Sequence, residues 1–480
     1  MSIWDHVCSI RYIWHKKCNF LRMMHAGFID IPQMIAEGSA QRLFPGLLPD
    51  ICEIRKKDFP LLDKLGRVYL DSAATSLEPL SVINRMHEYR MTHLRGSNHS
   101  RNSAEAKEAQ ERNDEARQKI QRFFNADNYI VGFTGGTTDT SNYVATRFPF
   151  EKGDSLILTD MEHNSQILTA RKFAQRAGSK VAYVPVSLPD GKLDLDYLNR
   201  AVSKTDKGKI LLNLVHVSNV SGIINPVKEI REILGDRGFI YLDLAQSAGQ
   251  MPIHLDELDV DFAGVSSHKV YGPMGIGAIF INKKSTRYIG KNISGGSAVK
   301  LVSKWFIAHA DPPASFEPGT QDLEGAIEWG FAIDYLESIG VIRIEKHDNE
   351  LRKYFIGELN KINGVEILGP RDCHNRTAVV TFNIAPLGRN HEEVARKLDA
   401  RGISVRDGCF CAHIYTSQLL DAPGFVHEFR TLAMKGRLVP ENILMIPGAI
   451  RASFAFYNTL GDAYKAIIAI CEIINGQAKK

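Results

Sequence analysis

From IRKKDFPLLDKLGRVYLDSAATS onward the sequence alternates short apolar runs, rich in β-branched and aromatic residues, with segments of helical period. That alternation narrows the fold more than any other feature, because strands joined by crossover helices build a sheet of mostly parallel strands. Ligands of such open sheets sit outside the carboxyl ends of the strands. The residues that close each apolar run are therefore where chemistry is to be read.

Those residues are polar. YIVGFTGGTTDTSNYVA passes through Gly135 and Gly136 into a Thr-rich helix start with Thr137 and Thr138, a geometry that aims backbone N–H groups and hydroxyls at a phosphate. Taken alone this signal is weak, since strand-Gly-Gly-helix turns are common. SLILTDMEHNSQI closes on Glu162 and His163, and a lone histidine is more often structural than catalytic. LLNLVHVSNVSGIINPVKEI closes on Asn219 before the turn residues Gly222, Asn225 and Pro226, and GFIYLDLAQSAGQ closes on Asp243 with Gln246 three residues on.

SSHKVYGPMGIG then sets Lys269 behind Ser266 and His268 and ahead of three glycines. Lys269 reads in two ways: as a solvated residue at a strand end, the ordinary place for lysine, or as an amine held at the mouth of an apolar site. In the second setting its pKa falls, and it becomes a nucleophile for an aldehyde. Pyridoxal phosphate needs such a lysine together with a carboxylate for its ring nitrogen. Lys269 and Asp243, delivered by successive strands, supply that pair.

Composition excludes other classes. The 480 residues, 44% hydrophobic and 24% charged, are those of a globular protein of two or three domains. A net charge of +4 with no long basic run gives no footprint for nucleic acid or an anionic membrane, so small molecules are the expected partners. The seven cysteines (Cys8, Cys18, Cys52, Cys373, Cys409, Cys411 and Cys471) are too scattered for a secreted disulfide framework and point to a reducing compartment. No apolar run reaches the ~18 residues of a membrane span, and the expected location is the cytoplasm. The opening segment, MSIWDHVCSIRYIWHKKCNFLRMMHAGFID, reads as a transit peptide, a family-specific extension or an over-long start, with Met23, Met24 and Met34 as alternative starts.

AEAKEAQERNDEARQKIQRFF, residues 104–124, reads as a charged surface helix with i, i+4 support. After about residue 325 the composition shifts to charged helices and a new strand set, AVVTFNIAP, GISVRDGCFCAH and AIRASFAFY. The expected division is an N-terminal extension over 1–52, a segment over 53–70 that joins the smaller domain, a large domain over 71–325 and a small one over 326–480.

YLDSAATS, FTGGTTDTSNYVA, MEHNSQ, HVSNVSGIINP, DLAQSAGQ, SSHKVYGPMGIG, FEPGTQD, VRDGCFCAH and IRASFAFYNT follow one another between residues 53 and 475. In that order they resemble the fold type I, class V pyridoxal-phosphate enzymes, closest to the group II cysteine desulfurases and selenocysteine lyases. The resemblance implies an α/β fold: a large domain with a mostly parallel seven-stranded sheet and a smaller α+β C-terminal domain. It implies that Lys269 carries the cofactor, that Asp243 pairs with the ring nitrogen, that His163 stacks on the ring and shuttles protons, and that Gln246 meets the ring's phenolic oxygen. Thr137, Thr138, Ser266 and His268 would cradle the phosphate, with Thr320 reaching in from the second subunit of a homodimer. His99, Asn219, Arg406 and Arg451 would bind the substrate, Arg451 by its planar fork; the alternative for Arg451 is a surface salt bridge.

By the same resemblance Cys411 forms a persulfide with the sulfur of L-cysteine, releases L-alanine and passes the sulfur to an acceptor protein. Two other readings stand beside it: a buried cysteine acting as a small hydrophobe, and a strand that points Cys409, Cys411 and His413 the same way toward a soft metal, for which no fourth ligand is evident. The expectation is no metal. Cys409 departs from the family, where histidine is common, and reads as a passive replacement or as a group that resolves or relays the persulfide. Ile414 to Gly448 is longer than the family's usual connection, with helical signals in VHEFRTLAMKGR, and leaves room for another class V reaction such as a C–S lyase, an epimerase or an aminotransferase. A catalytically idle scaffold is the remaining class of reading.

Overall fold

The structure is a computed structural model and describes residues 40–97, 102–205, 207–289, 295–372, 374–388, 390–422, 431–432, 434 and 447–477. His99, Cys373, most of the first fifty residues and most of the 414–448 connection lie outside the described residues. The chain divides into two compact units, Met1–Pro45 and Gly46–Lys480. In the first, Ala40–Leu43 forms one helical turn; everything below concerns the second.

The short strand β1 (Val68–Tyr69) precedes a seven-stranded sheet made of β2 (Tyr129–Thr134), β3 (Ser155–Thr159), β4 (Lys180–Val184), β5 (Ile210–Val215), β6 (Gly238–Asp243), β7 (Phe262–Ser266) and β8 (Gly277–Asn282). Their spatial order is β2-β8-β7-β6-β5-β3-β4. β3 through β7 pair in parallel, and β8 runs antiparallel to both of its neighbours. Every residue of β3, β5, β6, β7 and β8 is buried, as strands covered on both faces require.

Side chains alternate across this sheet with the period of two that a strand imposes. Leu212, Ile240, Leu242, Ala263, Val265 and Phe280 enter one core with Trp329 and Ile333. Leu211, Phe239, Tyr241, Phe262, Ile279 and Ile281 enter the other. The expected charged helix is α1 (Ala104–Phe123): Ser103 caps it by accepting from Ala106 N at 3.2 Å, and Ala106, Ala109, Asn113, Ala116 and Ile120 form its buried stripe.

β9 (Val299–Val302) and β10 (Ile307–His309) form an antiparallel hairpin. A second sheet is built from β11 (Val365–Leu368), β12 (Val379–Ile384), β14 (Arg406–Gly408) and β15 (Ala449–Ser453), all antiparallel in the order β11-β12-β15-β14. β13 (Ile403–Ser404) pairs in parallel with β1, so the chain near residue 70 is tied to the strands that follow residue 400.

Candidate active site

Parallel register brings the polar strand ends together. Val215 lies opposite Asp243, and Asp243 opposite Gly264, so β5 and β6 end level with one another and β7 runs two residues further, to Ser266. Beyond β2, Gly136 stands at φ 139° and caps helix α2 (Thr137–Arg147). Only glycine fits there: a Cβ would lie 3.0 Å from Ser266 Oγ, in a backbone region L residues avoid. Thr137 N donates to Ser266 Oγ at 2.8 Å, and the Thr137 and Ser266 hydroxyls are also 2.8 Å apart. Thr138 is exposed on the next position of the helix.

Lys269 ends a single 3-10 turn, Ser267–Lys269, that follows β7 directly. It is half-buried, and burial pulls its amine from the ordinary 10.5 to about 8; the Asp243 carboxylate acts against that shift and Arg451 adds to it. The solvated-strand-end reading is thereby replaced, because the amine faces other charges in a desolvated cleft. Burial and Lys269 together push the neighbouring His268 down to about 4; its Nδ1 lies 3.2 Å from Thr75 Oγ1.

Asp243 is buried and accepts twice, from Gln166 Nε2 at 2.9 Å and from Ala245 N at 2.8 Å. His163 caps helix α3 (Asn164–Arg176), its Nδ1 accepting from Ser165 N at 3.2 Å and lying 2.8 Å from Ser165 Oγ. Burial lowers its pKa and the Asp243 carboxylate opposes that. Buried Gln246 donates to Ala73 O at 2.8 Å, while its Oε1 has no partner among the described residues. Beneath them Glu162 is sealed with Thr159 Oγ1 at 2.7 Å, and burial drives its carboxyl well above the usual range.

The second sheet contributes Arg451 and Cys411. Arg451 is 3% exposed, which corrects the surface-salt-bridge alternative. It donates from Nη1 to Asn219 O at 3.1 Å and from Nη2 to Asp71 Oδ1 at 3.3 Å, and its buried Nε has no partner among the described residues. Asn219 donates to Phe410 O at 2.6 Å, and the Phe410 ring lies under the Arg451 guanidinium at 5.1 Å. Arg406 is exposed and turns toward Asp71 Oδ2 at 3.8 Å.

Cys411 is exposed and Cys409 half-buried, its thiol pushed up by burial. The shared-strand reading for Cys409, Cys411 and His413 does not hold. β14 stops at Gly408, and Ala412 N donates back to Cys409 O at 2.9 Å. Phe410 and Cys411 both take φ 54°, and His413 opens helix α6 (His413–Leu419), numbered after α4 (Leu323–Ile339) and α5 (Val341–Leu359). Two left-handed residues in succession end a strand, so no common face exists. Among the described residues no group of three or more His, Cys, Asp or Glu side chains is placed to hold a metal. The buried-hydrophobe reading of Cys411 is likewise replaced by its exposure.

This turn docks on α3. Asn164 N donates to Cys411 O at 2.7 Å, and Asn164 Nδ2 lies 2.7 Å from His413 Nδ1. Thr320 is exposed in the turn before α4. Gln166, Asn164 and Asp71 are site residues that the strand-end reading passed over. Asp71 stands inside YLDSAATS, and its signal was a carboxylate directly after an apolar run, the same signal that marked Asp243.

A large α/β sheet with a lysine, a carboxylate and a glycine-cradled helix start at its strand ends is the architecture of a particular enzyme family. The model of the aminotransferase class-V family matches residues 68–464, and the chain belongs to that family. Among curated relatives, a probable cysteine desulfurase of Halalkalibacterium halodurans is 38% identical over 74% of this chain and 88% of its own length. A probable cysteine desulfurase of Pyrococcus abyssi is 32% identical over 87% of this chain and 96% of its own. Among solved structures, the apo cysteine desulfurase of Thermococcus onnurineus superposes with a TM-score of 0.76 at 30% identity, covering 89% of this chain and 98% of that one.

Proposed function

We propose that the protein is a pyridoxal-phosphate-dependent cysteine desulfurase: L-cysteine and the Cys411 thiol become L-alanine and a Cys411 persulfide, and the persulfide sulfur passes to an acceptor protein. The observation that carries this reading is the 2.7 Å bond from Asn164 N to Cys411 O, which fixes the cysteine turn to the helix that His163 caps. Relatives named as cysteine desulfurases support the same substrate.

The residues present fit the cofactor. The Gly136 cradle and the N–H groups at the start of α2 suit a phosphate. The partnerless Gln246 Oε1 suits a polar group on a ring, and the twice-bonded Asp243 suits a ring nitrogen that must stay protonated. Lys269 would hold it covalently, with Thr137, Thr138, Ser266 and His268 about the phosphate, Thr320 entering from a second copy of the chain in a homodimer, and His163 against the ring. When bound, pyridoxal phosphate withdraws electrons from the α-carbon of the amino acid and so weakens the bonds around it.

The chain's own groups do the rest. Arg451, with Asn219, Arg406 and His99, holds the substrate carboxylate; Arg451 offers a buried N–H with no other partner among the described residues. Cys411 as thiolate attacks the substrate sulfur, the carbon–sulfur bond breaks, and a proton held by Lys269 or His163 returns to the carbon skeleton. Residues 71–325 form the cofactor-binding domain in this reading and 326–480 the smaller one, and the enzyme works in the cytoplasm. No described helix is long and apolar enough to cross a membrane.

The test is to give the cofactor-loaded protein L-cysteine, follow alanine by chromatography and read the mass of the Cys411 peptide. Alanine with one added sulfur on Cys411 is the expected result. Bound cofactor with no alanine formed would overturn the proposal.

A further inference from the structure

We infer that Asp71 is the specificity-setting counter-ion of the substrate carboxylate pocket: it balances one of two cross-strand arginines and leaves a single net positive charge, matched to a substrate with one carboxylate. The inference rests on the reading of Arg451 as the residue that holds that carboxylate.

The β14–β15 register places Arg406 directly opposite Arg451. Like charges opposite one another on neighbouring strands repel, and here one of the two is buried. Asp71 answers both: Oδ1 accepts from Arg451 Nη2 at 3.3 Å and Oδ2 lies 3.8 Å from Arg406 Nη1. Its backbone cannot drift away, because Asp71 bridges Ser453 in parallel register, Ser453 N donates to Leu70 O at 2.8 Å, and Ala73 N donates to Ser453 Oγ at 2.9 Å. Two guanidinium cations against one carboxylate leave one positive charge among these three side chains. A buried guanidinium with no anion is costly. Asp71 covers that cost before substrate arrives, and the arriving carboxylate completes neutrality by taking the open Arg451 Nε. An exposed second cation, Arg406, then keeps Asp71 paired while Arg451 is shared.

Asp71→Asn keeps the size of the side chain and an oxygen for Arg451, and raises the pocket by one charge. With the cofactor-loaded enzyme, inorganic sulfate, a dianion, is expected to inhibit L-cysteine turnover competitively about tenfold more strongly in Asp71→Asn than in the parent, whereas acetate changes little. Thermal melts of the loaded proteins in sulfate and in acetate read the same preference without turnover, and Asp71→Glu is expected to restore the parent ratio. A merely structural Asp71 would lower melting temperature and rate but leave the sulfate-to-acetate ratio as it was; that ratio unchanged in a folded, loaded Asp71→Asn protein overturns the inference. The double variant Asp71→Asn with Arg451→Gln isolates the underlying reading in the thermal melts, which need no turnover: a sulfate-dependent rise in melting temperature that persists in it would overturn the assignment of Arg451 instead.

Discussion

Lys269 sits at the end of a strand buried on both faces, one 3-10 turn beyond β7, and its amine is tuned by what water cannot reach. Cys411 sits in an exposed turn with two left-handed residues, held by a backbone bond to Asn164 and the side chain of the next helix's first residue. The first group needs an altered proton affinity, and burial supplies it. In the proposed reaction the second meets a substrate sulfur and afterwards an acceptor protein, and burial would prevent that. Two nucleophiles assigned to one reaction are thus supported in opposite ways because they must be reached by different things.

The sharpest way to break this contrast is to remove each nucleophile in turn. Lys269→Ala should drop alanine formation by about a thousandfold or more and abolish the stable visible absorbance of the loaded protein. Cys411→Ala should lose alanine formation to background while that absorbance stays. Equal loss of the cofactor band in both variants would show that the two ends are not independent.

A smaller effect is expected at Arg451, between the two ends. Arg451→Lys keeps the charge but not the planar fork, and the KM for L-cysteine should rise about 10- to 100-fold, with a lesser change in kcat, as loss of a charged hydrogen bond predicts. Steady-state kinetics that moved only kcat would place Arg451 away from the substrate carboxylate.

Lys269 also gives the buried end a pH signature. With its pKa near 8, the free amine is a minor species at pH 7 and dominant at pH 9. Capture of added pyridoxal phosphate by the cofactor-free protein, followed by absorbance, should quicken several-fold across that window and level off above it. An ordinary lysine at 10.5 would still be accelerating at pH 9.

The smallest effect concerns stability at the same end. His216, buried just beyond β5, has its pKa pushed down to about 4 by burial, and its Nδ1 has no partner among the described residues. Its folded value lies below the ordinary 6.5, so its contribution to stability is complete above pH 6.5 and is lost as pH falls toward 4. The melting temperature of His216→Asn should fall less steeply than the parent's over that interval, with no change in the rate of Cys411 alkylation at pH 7.

Much of the candidate site was legible in consecutive residues. Gly135–Gly136–Thr137 reads as a phosphate turn because glycine's freedom and the free N–H groups of a helix start are local properties. Asp243 and Lys269 could be paired from sequence because each closes an apolar run and parallel strands end at the same edge. The Cys409–Cys411–His413 strand failed for a local reason that alternation alone does not carry: Gly408, Phe410 and Cys411 all take positive φ, and the turn overrides the period of two. Asp71 was passed over because its partners lie more than 300 positions away along the chain, beyond any spacing argument.

The sequence by itself determined the α/β architecture with a mostly parallel sheet, the pairing of a lysine with a carboxylate at its strand ends and the order of motifs, since periodicity and turn chemistry act between near neighbours; the count of seven strands came from the family resemblance that those motifs carry. Only the tertiary structure decided that Asp71 stands between Arg406 and Arg451, that Asn164 receives the Cys411 turn, and that Arg451 is buried. Those are contacts between the two sheets and the chain near residue 70, and they exist only once burial has fixed the charges close enough together for each to set the energy of the next.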